Sequence, residues 1–439
     1  MRVALISTYE LGRQPFGVAS AAAWLRRAGH KVLCLDTSRQ PLPLETVAEA
    51  ELIGIYLPMH TATRLAVPLI EKVRRVRPDA YICCFGLYAP MNAELLREQG
   101  VKTIIGAEFE QALVDLADCG TGDSPIEMPR LHFIRPDRSQ LPALSSYAKL
   151  CVDGATKRVG STEASRGCKY LCRHCPVVPV YNGAFRIVQR DVVLADIRQQ
   201  VAMGAEHITF GDPDFFNGPT HAMAIVKAMH AEFPELTYDV TIKIEHVLKD
   251  RALLAGLKAT GCLFITSAVE SLDDRVLALL DKGHTRADFL QAARLTREAG
   301  LTLAPTFVTF TPWTTWRRYR ELLETLVELD LVENVAPIQL AIRLLIPAGS
   351  RLLELPEVRE RIGPFDSAAL SYQWRNEDGS VDGLWQEVQS LIREEERRKA
   401  SRRAIFGKIW DLAHDRPRPV DFHLAARATI PYLNEPWYC

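Results

Sequence analysis

Three cysteines near the middle of the chain, Cys168, Cys172 and Cys175, have a spacing that permits metal chemistry. They occur on one short polar segment in the pattern C-x3-C-x2-C. Three thiolates at this spacing can each bind one iron of a four-iron cluster and leave the fourth iron open to a small molecule. Ordinary buried thiols are the alternative, but the arginines, lysine and histidine around them make this segment a poor place for burial. Structural zinc usually takes four ligands, and no second Cys/His pair has a suitable spacing.

The cysteine motif resembles the signature of radical S-adenosylmethionine (radical SAM) enzymes. In that family the open iron chelates the amino and carboxyl groups of SAM, and the reduced cluster cleaves a C–S bond. The residue before the third cysteine is usually aromatic, whereas here it is His174. The resemblance implies a 4Fe–4S cluster on Cys168, Cys172 and Cys175, and SAM as a cofactor beside His174. It also implies an electron donor such as flavodoxin or ferredoxin.

Composition narrows the class of protein. The chain has 439 residues, a formal net charge of -1 and 48% hydrophobic residues, as expected for two or three globular domains. The near-zero charge gives no indication of a nucleic-acid or membrane partner, and no run of eighteen apolar residues occurs. The first residues read as a strand, not a signal peptide, and the ten cysteines do not form a secreted pattern. These features predict a cytoplasmic location.

Strand and helix patterns alternate through residues 1–119. Apolar runs occur at residues 3–7, 32–36, 52–57, 81–85 and 103–106, and helical patterns occur at residues 19–28, 65–76 and 91–99. Continuous apolar strands separated by helices predict a doubly wound parallel sheet, with ligands at the carboxyl ends of its strands.

A domain of this kind ahead of the cysteine motif resembles the cobalamin-binding domain of B12-dependent radical SAM enzymes. The turn Gly106-Ala-Glu108 is similar to the Gly-x-Glu turn that often closes such domains. The motif D-x-H-x-x-G, which supplies a lower cobalt ligand, is absent, and Phe85-Gly86 replaces the usual paired glycines. His60 is interpreted as an ordinary polar residue. Both a cobalamin site and a domain of the same fold without a corrinoid remain open.

Residues 120–150 have the Pro, Gly and Ser content of a linker, and residues 151–355 form a second series of strands and helices. The predicted strands are at residues 159–164, 208–211, 238–244, 263–269, 303–310 and 338–345, and the predicted helices at 192–202, 221–230, 248–259, 274–280, 286–299 and 316–329. Six strand–helix units match the partial (β/α)6 barrel of the radical SAM superfamily. Chemistry in such barrels gathers at the carboxyl ends of the strands.

Charged or small residues follow three of these strands. They are Gly211, Asp212 and Asp214 after the second strand, Lys243 after the third, and Glu270 with Ser271 after the fourth. The resemblance implies that the first group binds the ammonium of SAM and that the Glu-Ser pair contacts SAM. A charge at the carboxyl end of a barrel strand points toward the cavity, so Lys243 is a candidate to bind the SAM carboxylate. A helix-capping turn and a surface lysine are the ordinary alternatives for the first group and for Lys243.

Residues 356–439 form a C-terminal extension with a charged helix at 380–414 and a final Cys439 after two aromatic residues. Both ends of the chain resemble a group of radical SAM proteins and selenoproteins whose tail is Cys, then Cys or selenocysteine, then Ala-Glu-Pro. The resemblance implies that the tail is a soft chelate, and that a selenocysteine codon read as a stop would end the chain at Cys439. We expect this tail to fold back toward the barrel mouth, where Cys439 would take part in catalysis.

These features predict a radical SAM transferase that moves a SAM-derived group to a small substrate. Methyl transfer by way of cobalamin is the first interpretation. The second is transfer of the aminocarboxypropyl group without cobalamin, onto trivalent arsenic held by the tail. The third is a non-catalytic iron–sulfur sensor or electron-transfer protein, which would need no strand-end residues such as Glu270.

Overall fold

The computed structural model describes residues 1–120, 128–414 and 431–434. Its N-terminal part is a parallel sheet in the order β2-β1-β3-β4-β5. The strands are β1 (Arg2–Ser7), β2 (Lys31–Asp36), β3 (Leu52–Tyr56), β4 (Ile82–Phe85) and β5 (Thr103–Ile105). The helices are α1 (Phe16–Arg27), α2 (Leu44–Ala48), α3 (His60–Val76), α4 (Ala93–Glu98) and α5 (Phe109–Cys119).

Helices cover both faces of this sheet, which explains its nearly continuous apolar strands. Side chains of α1 and α5 share one core with one face of the sheet, and those of α3 and α4 share a second core with the other face. Strand β1 lies between β2 and β3. The chain passes from β1 to β2 on one side and then crosses to β3 on the other side, so the strand order reverses at β1. This reversal opens a crevice outside the carboxyl ends of β1 and β3, where sheets of this type bind ligands.

A second, curved sheet follows in the order β13-β12-β11-β10-β7-β6-β16. Its strands are β6 (Lys149–Val152), β7 (Ala155–Thr162), β10 (His207–Phe210), β11 (Thr237–Thr241), β12 (Cys262–Glu270), β13 (Thr302–Phe307) and β16 (Tyr432–Leu433). Strands β7 and β10–β13 are parallel, whereas β6 is antiparallel to β7 and to β16. A separate antiparallel pair, β8 (Ser165–Gly167) and β9 (Phe185–Ile187), brackets the segment that carries the three cysteines.

The helices of this part are α6 (Val178–Tyr181), α7 (Arg190–Ala202), α8 (Pro219–Glu232), α9 (Ile244–Lys249), α10 (Leu254–Ala259), α11 (Asp274–Leu279), α12 (Arg286–Glu298) and α13 (Trp316–Glu328). The C-terminal part adds α14 (Pro356–Arg359), a hairpin of β14 (Ile362–Asp366) and β15 (Ser371–Trp374), α15 (Gly379–Arg397) and α16 (Arg402–Ala413). The predicted fold class, a doubly wound sheet followed by a partial barrel, is confirmed. Within the described ranges, no helix has the length and apolar character needed to cross a membrane.

The predicted sixth strand, at residues 338–345, is wrong. The structure has a 3-10 turn at Pro337–Leu340 and a single β-bridge between Phe310 and Arg343. The side chain of Gln339 accepts the hydrogen bond of the Phe307 N–H at 3.0 Å, so a side chain satisfies the donor at the end of β13. Among the described residues, the barrel therefore has five parallel strands and one bridge.

Two predicted helices are each divided. The pattern at residues 248–259 spans the end of α9, a 3-10 turn at Arg251–Leu253 and α10. The charged helix predicted at residues 380–414 is α15 followed by α16. Lys399 between them has a positive φ of 58°, and the Ser401 side chain caps α16, so the break is built into the local backbone.

The predicted linker is fixed to both parts of the protein by Arg138, whose side chain is fully buried. Its guanidinium forms a bidentate ion pair with Asp196, with N···O distances of 2.8 and 2.9 Å. It also donates to Gln14 in the N-terminal domain at 2.9 Å and to the carbonyl of Ser161 in β7 at 2.6 Å. Because a buried guanidinium is costly unless all its donors are satisfied, these bonds hold the domains in one arrangement.

Candidate active site

The three cysteines lie in the loop between β8 and β9, beside the carboxyl end of β7. Gly167, just before Cys168, has a φ of +76°, and a Cβ there would come within 2.6 Å of the Ala184 carbonyl oxygen. Only glycine therefore allows the two ends of the loop to approach so closely. The loop is also tied to α11, because the Arg173 N–H donates to the Leu280 carbonyl at 2.9 Å.

Cys172 is buried, whereas Cys168 and Cys175 are partly exposed. In the part of the chain that the structure describes, no three His, Cys, Asp or Glu side chains converge on a point that could hold one metal ion. A 4Fe–4S cluster takes one thiolate per iron, so it does not require the three sulfurs to converge. The loop provides three thiols on one short segment, which is the donor set that such a cluster uses.

Glu270, the last residue of β12, is turned toward this loop. The strand is irregular between Ala268 and Glu270, and Glu270 has a φ of +67°, which is rare for a residue with a side chain. Its Oε1 lies 3.0 Å from His174 Nε2 and 3.3 Å from Lys282 Nζ. Burial raises the pKa of Glu270, but the Lys282 ammonium and the His174 ring lower it to about 2. Two of the predicted SAM-binding residues, His174 and Glu270, are thus in direct contact.

Lys243 also reaches the cysteine loop. Its ammonium donates to Cys172 Sγ at 3.5 Å and forms an ion pair with Glu245 at 2.8 Å. Burial lowers the pKa of Lys243, but Cys172 and Glu245 raise it above its ordinary value. The Lys243 ammonium already contacts Cys172 and Glu245, so its contact with the SAM carboxylate stays a prediction.

The residues after β10 are largely used within the protein. Asp212 accepts from the Ala164 N–H at 2.9 Å and from Ser165 Oγ at 2.6 Å, and burial raises its pKa to about 7. Asp214 accepts from His246 Nδ1 at 2.6 Å. These two carboxylates fix the turn before β8 and the start of α9, so their predicted bonds to the SAM ammonium stay untested.

A cavity of about 230 Å³ lies where the carboxyl ends of the two sheets meet. Its walls come from both domains and include Glu10 and Arg13 after β1, Pro58 after β3, Glu163 after β7 and Gly211 after β10. Gly167 and Val177 also line it, so the cavity borders the cysteine loop on both sides. Burial and the neighbouring Glu163 raise the pKa of Glu10 to about 8. Ser271 lies with Glu270 at a second cavity of about 30 Å³.

Arg166 joins the N-terminal domain to the cysteine loop through a buried network of charges. Its guanidinium donates to Glu163 at 2.7 Å, to Glu108 at 3.2 Å and to Glu110 at 2.7 and 3.0 Å. Burial raises the pKa of Glu108 and of Glu163, and Arg166 opposes that rise. The turn that resembles a cobalamin-domain motif therefore supplies carboxylates to an arginine two residues before Cys168.

The aromatic rings of Tyr56 and Phe109 line the crevice in which a corrinoid would have to lie. The Tyr56 ring, at the carboxyl end of β3, packs 5.3 Å from the Phe85 ring and 5.7 Å from the Phe109 ring. It is so close to α1 that a Cβ at Gly17 would lie 2.2 Å from it. His60 Nε2 lies 2.7 Å from the Ala369 carbonyl, in agreement with its interpretation as an ordinary polar residue.

The adjoining cavity of about 230 Å³ is smaller than the roughly 300–1,000 Å³ of sites for drug-sized ligands, and a corrinoid is larger than those. A corrinoid would need a wider cavity than this one, and its binding stays a prediction. We therefore derive no step through cobalamin.

Sequence reasoning missed several residues of this site. Four residues near the cysteine loop were given no role in the sequence analysis: Tyr170, Glu245, Lys282 and His284. They share no sequence signal: Tyr170 lies within the cysteine motif, Glu245 lies at the start of α9, and Lys282 and His284 follow α11. Cys439 lies outside the described residues, as do Trp437 and Tyr438.

Comparison with known proteins agrees with this geometry. Residues 162–326 match the Radical SAM superfamily. The hopanoid C-3 methylase of Methylococcus capsulatus is 23% identical over 316 residues, which cover 66% of this chain and 60% of that protein. The chain thus spans less than two thirds of that relative.

Two solved structures share the fold. OxsB, a cobalamin-dependent SAM radical enzyme with aqua-cobalamin and SAM bound, has a TM-score of 0.73 at 15% identity, over 90% of this chain and 67% of OxsB. TsrM from Kitasatospora setae, a radical SAM methyltransferase with cobalamin and a 4Fe–4S cluster bound, has a TM-score of 0.61 at 18% identity, over 75% of this chain and 73% of TsrM.

Proposed function

Starting from the radical SAM domain at residues 162–326, we propose that this protein cleaves SAM reductively and transfers a SAM-derived group to a small molecule. One observation carries the proposal: the cysteine loop, the His174–Glu270 contact and the interdomain cavity share the carboxyl edge of the barrel. A sensor or electron-transfer protein would need neither a buried carboxylate aimed at the loop nor a cavity beside it. Such a protein is therefore the weaker candidate.

The roles of the residues follow from their positions. Cys168, Cys172 and Cys175 would hold a 4Fe–4S cluster, which supplies the electron that breaks a C–S bond of SAM. Glu270 is held ionised by Lys282 and His174, so it offers a fixed negative charge to polar groups of SAM. The electron would come from a one-electron donor of the flavodoxin or ferredoxin class.

Methyl transfer is the first candidate for the group that moves. The relative from Methylococcus capsulatus is named as a methylase, and TsrM is a methyltransferase. The substrate would occupy the cavity of about 230 Å³, since this cavity borders both the cysteine loop and the strand ends.

A specific observation favours aminocarboxypropyl transfer as the second candidate. This reaction needs no corrinoid, and the cavity of about 230 Å³ is smaller than the roughly 300–1,000 Å³ of sites for drug-sized ligands. Arsenic as the acceptor, held by Cys439, stays a prediction because the tail lies outside the described residues.

Product analysis separates these possibilities. Protein reconstituted with iron and sulfide is incubated with dithionite and SAM carrying a deuterated methyl group, and the nucleoside products are identified by mass spectrometry. 5′-Deoxyadenosine together with S-adenosylhomocysteine indicates methyl transfer, whereas methylthioadenosine indicates aminocarboxypropyl transfer. Intact SAM would contradict the proposed enzyme and favour the sensor.

The matched control is the triple variant Cys168→Ala, Cys172→Ala and Cys175→Ala. It should lose the brown chromophore, its iron and all SAM cleavage, because only these three cysteines share a loop at cluster spacing. A full cluster in this variant would contradict the assignment of the ligands.

A further inference from the structure

We propose that Lys243 and Glu245 form a pair of opposite charges that sets the reduction potential of the cluster bound through Cys172. The inference rests on the cluster assignment in the proposed function. It gives Lys243 a role toward the cluster itself, separate from any contact with SAM.

The distance between Lys243 and Cys172 is the first support. The Lys243 ammonium donates to Cys172 Sγ at 3.5 Å, and the side chains of both residues are buried, each residue being 6% exposed. A cation that donates to a ligand sulfur stabilises extra negative charge on that sulfur. Hydrogen bonds to the sulfurs and the net charge near a cluster are two of the factors that set its potential.

The position of Lys243 is fixed from several sides. The residue precedes α9 directly, and its ammonium lies 3.5 Å from the centre of the Tyr170 ring, which belongs to the cysteine loop. The ammonium also donates to the Lys282 carbonyl at 3.2 Å. These contacts keep the charge beside Cys172 and away from solvent, where water would screen it.

Glu245 supplies the opposing charge. Its carboxylate lies 2.8 Å from the Lys243 ammonium and 3.6 Å from His284 Nδ1, and it is largely buried. Several other charges around the loop are paired with each other: Glu270 with Lys282 and His174, and Asp214 with His246. On the loop itself, Arg173 donates to the Ala278 and Leu279 carbonyls, and Lys169 lies 5.9 Å from the centre of the Tyr170 ring. Among the contacts of the described residues, Lys243 is the cation that donates to a sulfur of the three loop cysteines.

The sign of each contribution follows from charge balance. Reduction moves one electron from an external one-electron donor onto the cluster, whose charge becomes more negative by one. The Lys243 cation stabilises the reduced form and raises the potential, whereas the Glu245 anion destabilises the reduced form and lowers it. Removing the Lys243 charge should thus lower the potential, and removing the Glu245 charge should raise it.

The test is a redox titration followed by electron paramagnetic resonance on reconstituted protein without SAM. Titanium(III) citrate is the reductant, and iron and sulfide contents confirm equal loading. Lys243→Met should shift the midpoint to a more negative value and Glu245→Gln to a more positive one. Lys157→Met is the matched control, because Lys157 lies near the amino end of β7, away from the cysteine loop, and contacts Thr237 of β11. Its midpoint should equal that of the wild type.

Shifts of the same sign in both variants, or midpoints equal to that of the control, would overturn the inference. If Lys243→Met does not load a cluster, the positive shift of Glu245→Gln still decides the question. A wild-type protein that binds no 4Fe–4S cluster would overturn the proposed function together with the inference. A loaded wild type with unresponsive variants would overturn only the role of the pair.

Discussion

Replacing Glu270 by glutamine removes one buried negative charge and almost no volume. The neighbouring cations lower the pKa of this carboxyl from 4.5 to about 2. At roughly 1.4 kcal/mol per pKa unit, the charged form is favoured in the folded protein by about 3 kcal/mol. We expect Glu270→Gln to lose up to about 3 kcal/mol of unfolding free energy at pH 7, because Lys282 then stays buried without its anion.

The pH dependence gives a second measure of the same charge. Since the pKa of Glu270 is lower in the folded state, its stabilising effect is complete above about pH 4.5 and disappears as the pH falls toward 2. The stability difference between wild type and variant should therefore shrink over that range. Urea titrations at several pH values, followed by tryptophan fluorescence, measure it.

Affinity for SAM decides whether the charge also serves the cofactor. Isothermal titration of cluster-loaded protein should show weaker SAM binding in Glu270→Gln, with the iron content unchanged. Glu298→Gln, on the exposed side of α12, is the matched control and should leave both stability and affinity unaltered. A variant that loses stability but binds SAM normally would show that Glu270 is structural only. If Glu270→Gln also keeps the stability of the wild type, the electrostatic reasoning is refuted.

Two further predictions concern the crevice and the tail. After incubation with hydroxocobalamin and desalting, Tyr56→Ala should retain more corrinoid than the wild type, because the Tyr56 ring lines the cavity and its removal widens it. Tyr81→Ala is the control, because the Tyr81 ring lies at the amino end of β4, and it should retain as much corrinoid as the wild type. Full retention by the wild type would show that the Tyr56 ring moves aside and would support cobalamin-carried methyl transfer. Removal of residues 435–439 leaves β16 in place and should change turnover or SAM access without lowering stability. Unaltered kinetics would leave Cys439 without a role.

The sequence was sufficient to predict the order of the parallel strands, apart from the sixth barrel strand, and the cysteine loop. It did not predict α2, α5 or the antiparallel pairs β8/β9 and β14/β15. Apolar strands such as residues 52–57 can form only a sheet covered on both faces, and three closely spaced cysteines restrict the chemistry whatever surrounds them. The sixth strand was mispredicted because the apolar run at residues 338–345 fits a strand as well as it fits the observed 3-10 turn and single bridge. Nothing in the pattern shows that the Gln339 side chain satisfies the donor at the end of β13.

The partners of individual charges were the least predictable part. Lys243 and Asp212 follow strands in the expected way, yet their side chains bind Cys172 and Ser165, which lie 71 and 47 residues away in sequence. Such contacts depend on how the strands curve, and curvature leaves no local pattern. The contact between His174 and Glu270 is the exception, since both were already expected near SAM.

The Arg166 network makes the two domains thermodynamically dependent on each other. Glu108 and Glu110 belong to the N-terminal domain, whereas Arg166 is separated from Cys168 by one glycine. A ligand that displaced Glu108 and Glu110 would alter the free energy of the cysteine loop through Arg166. By linkage, a ligand bound at the loop would then alter the affinity of the N-terminal crevice by the same factor. The two places would thus be energetically coupled even if the crevice contributed no atom to the reaction.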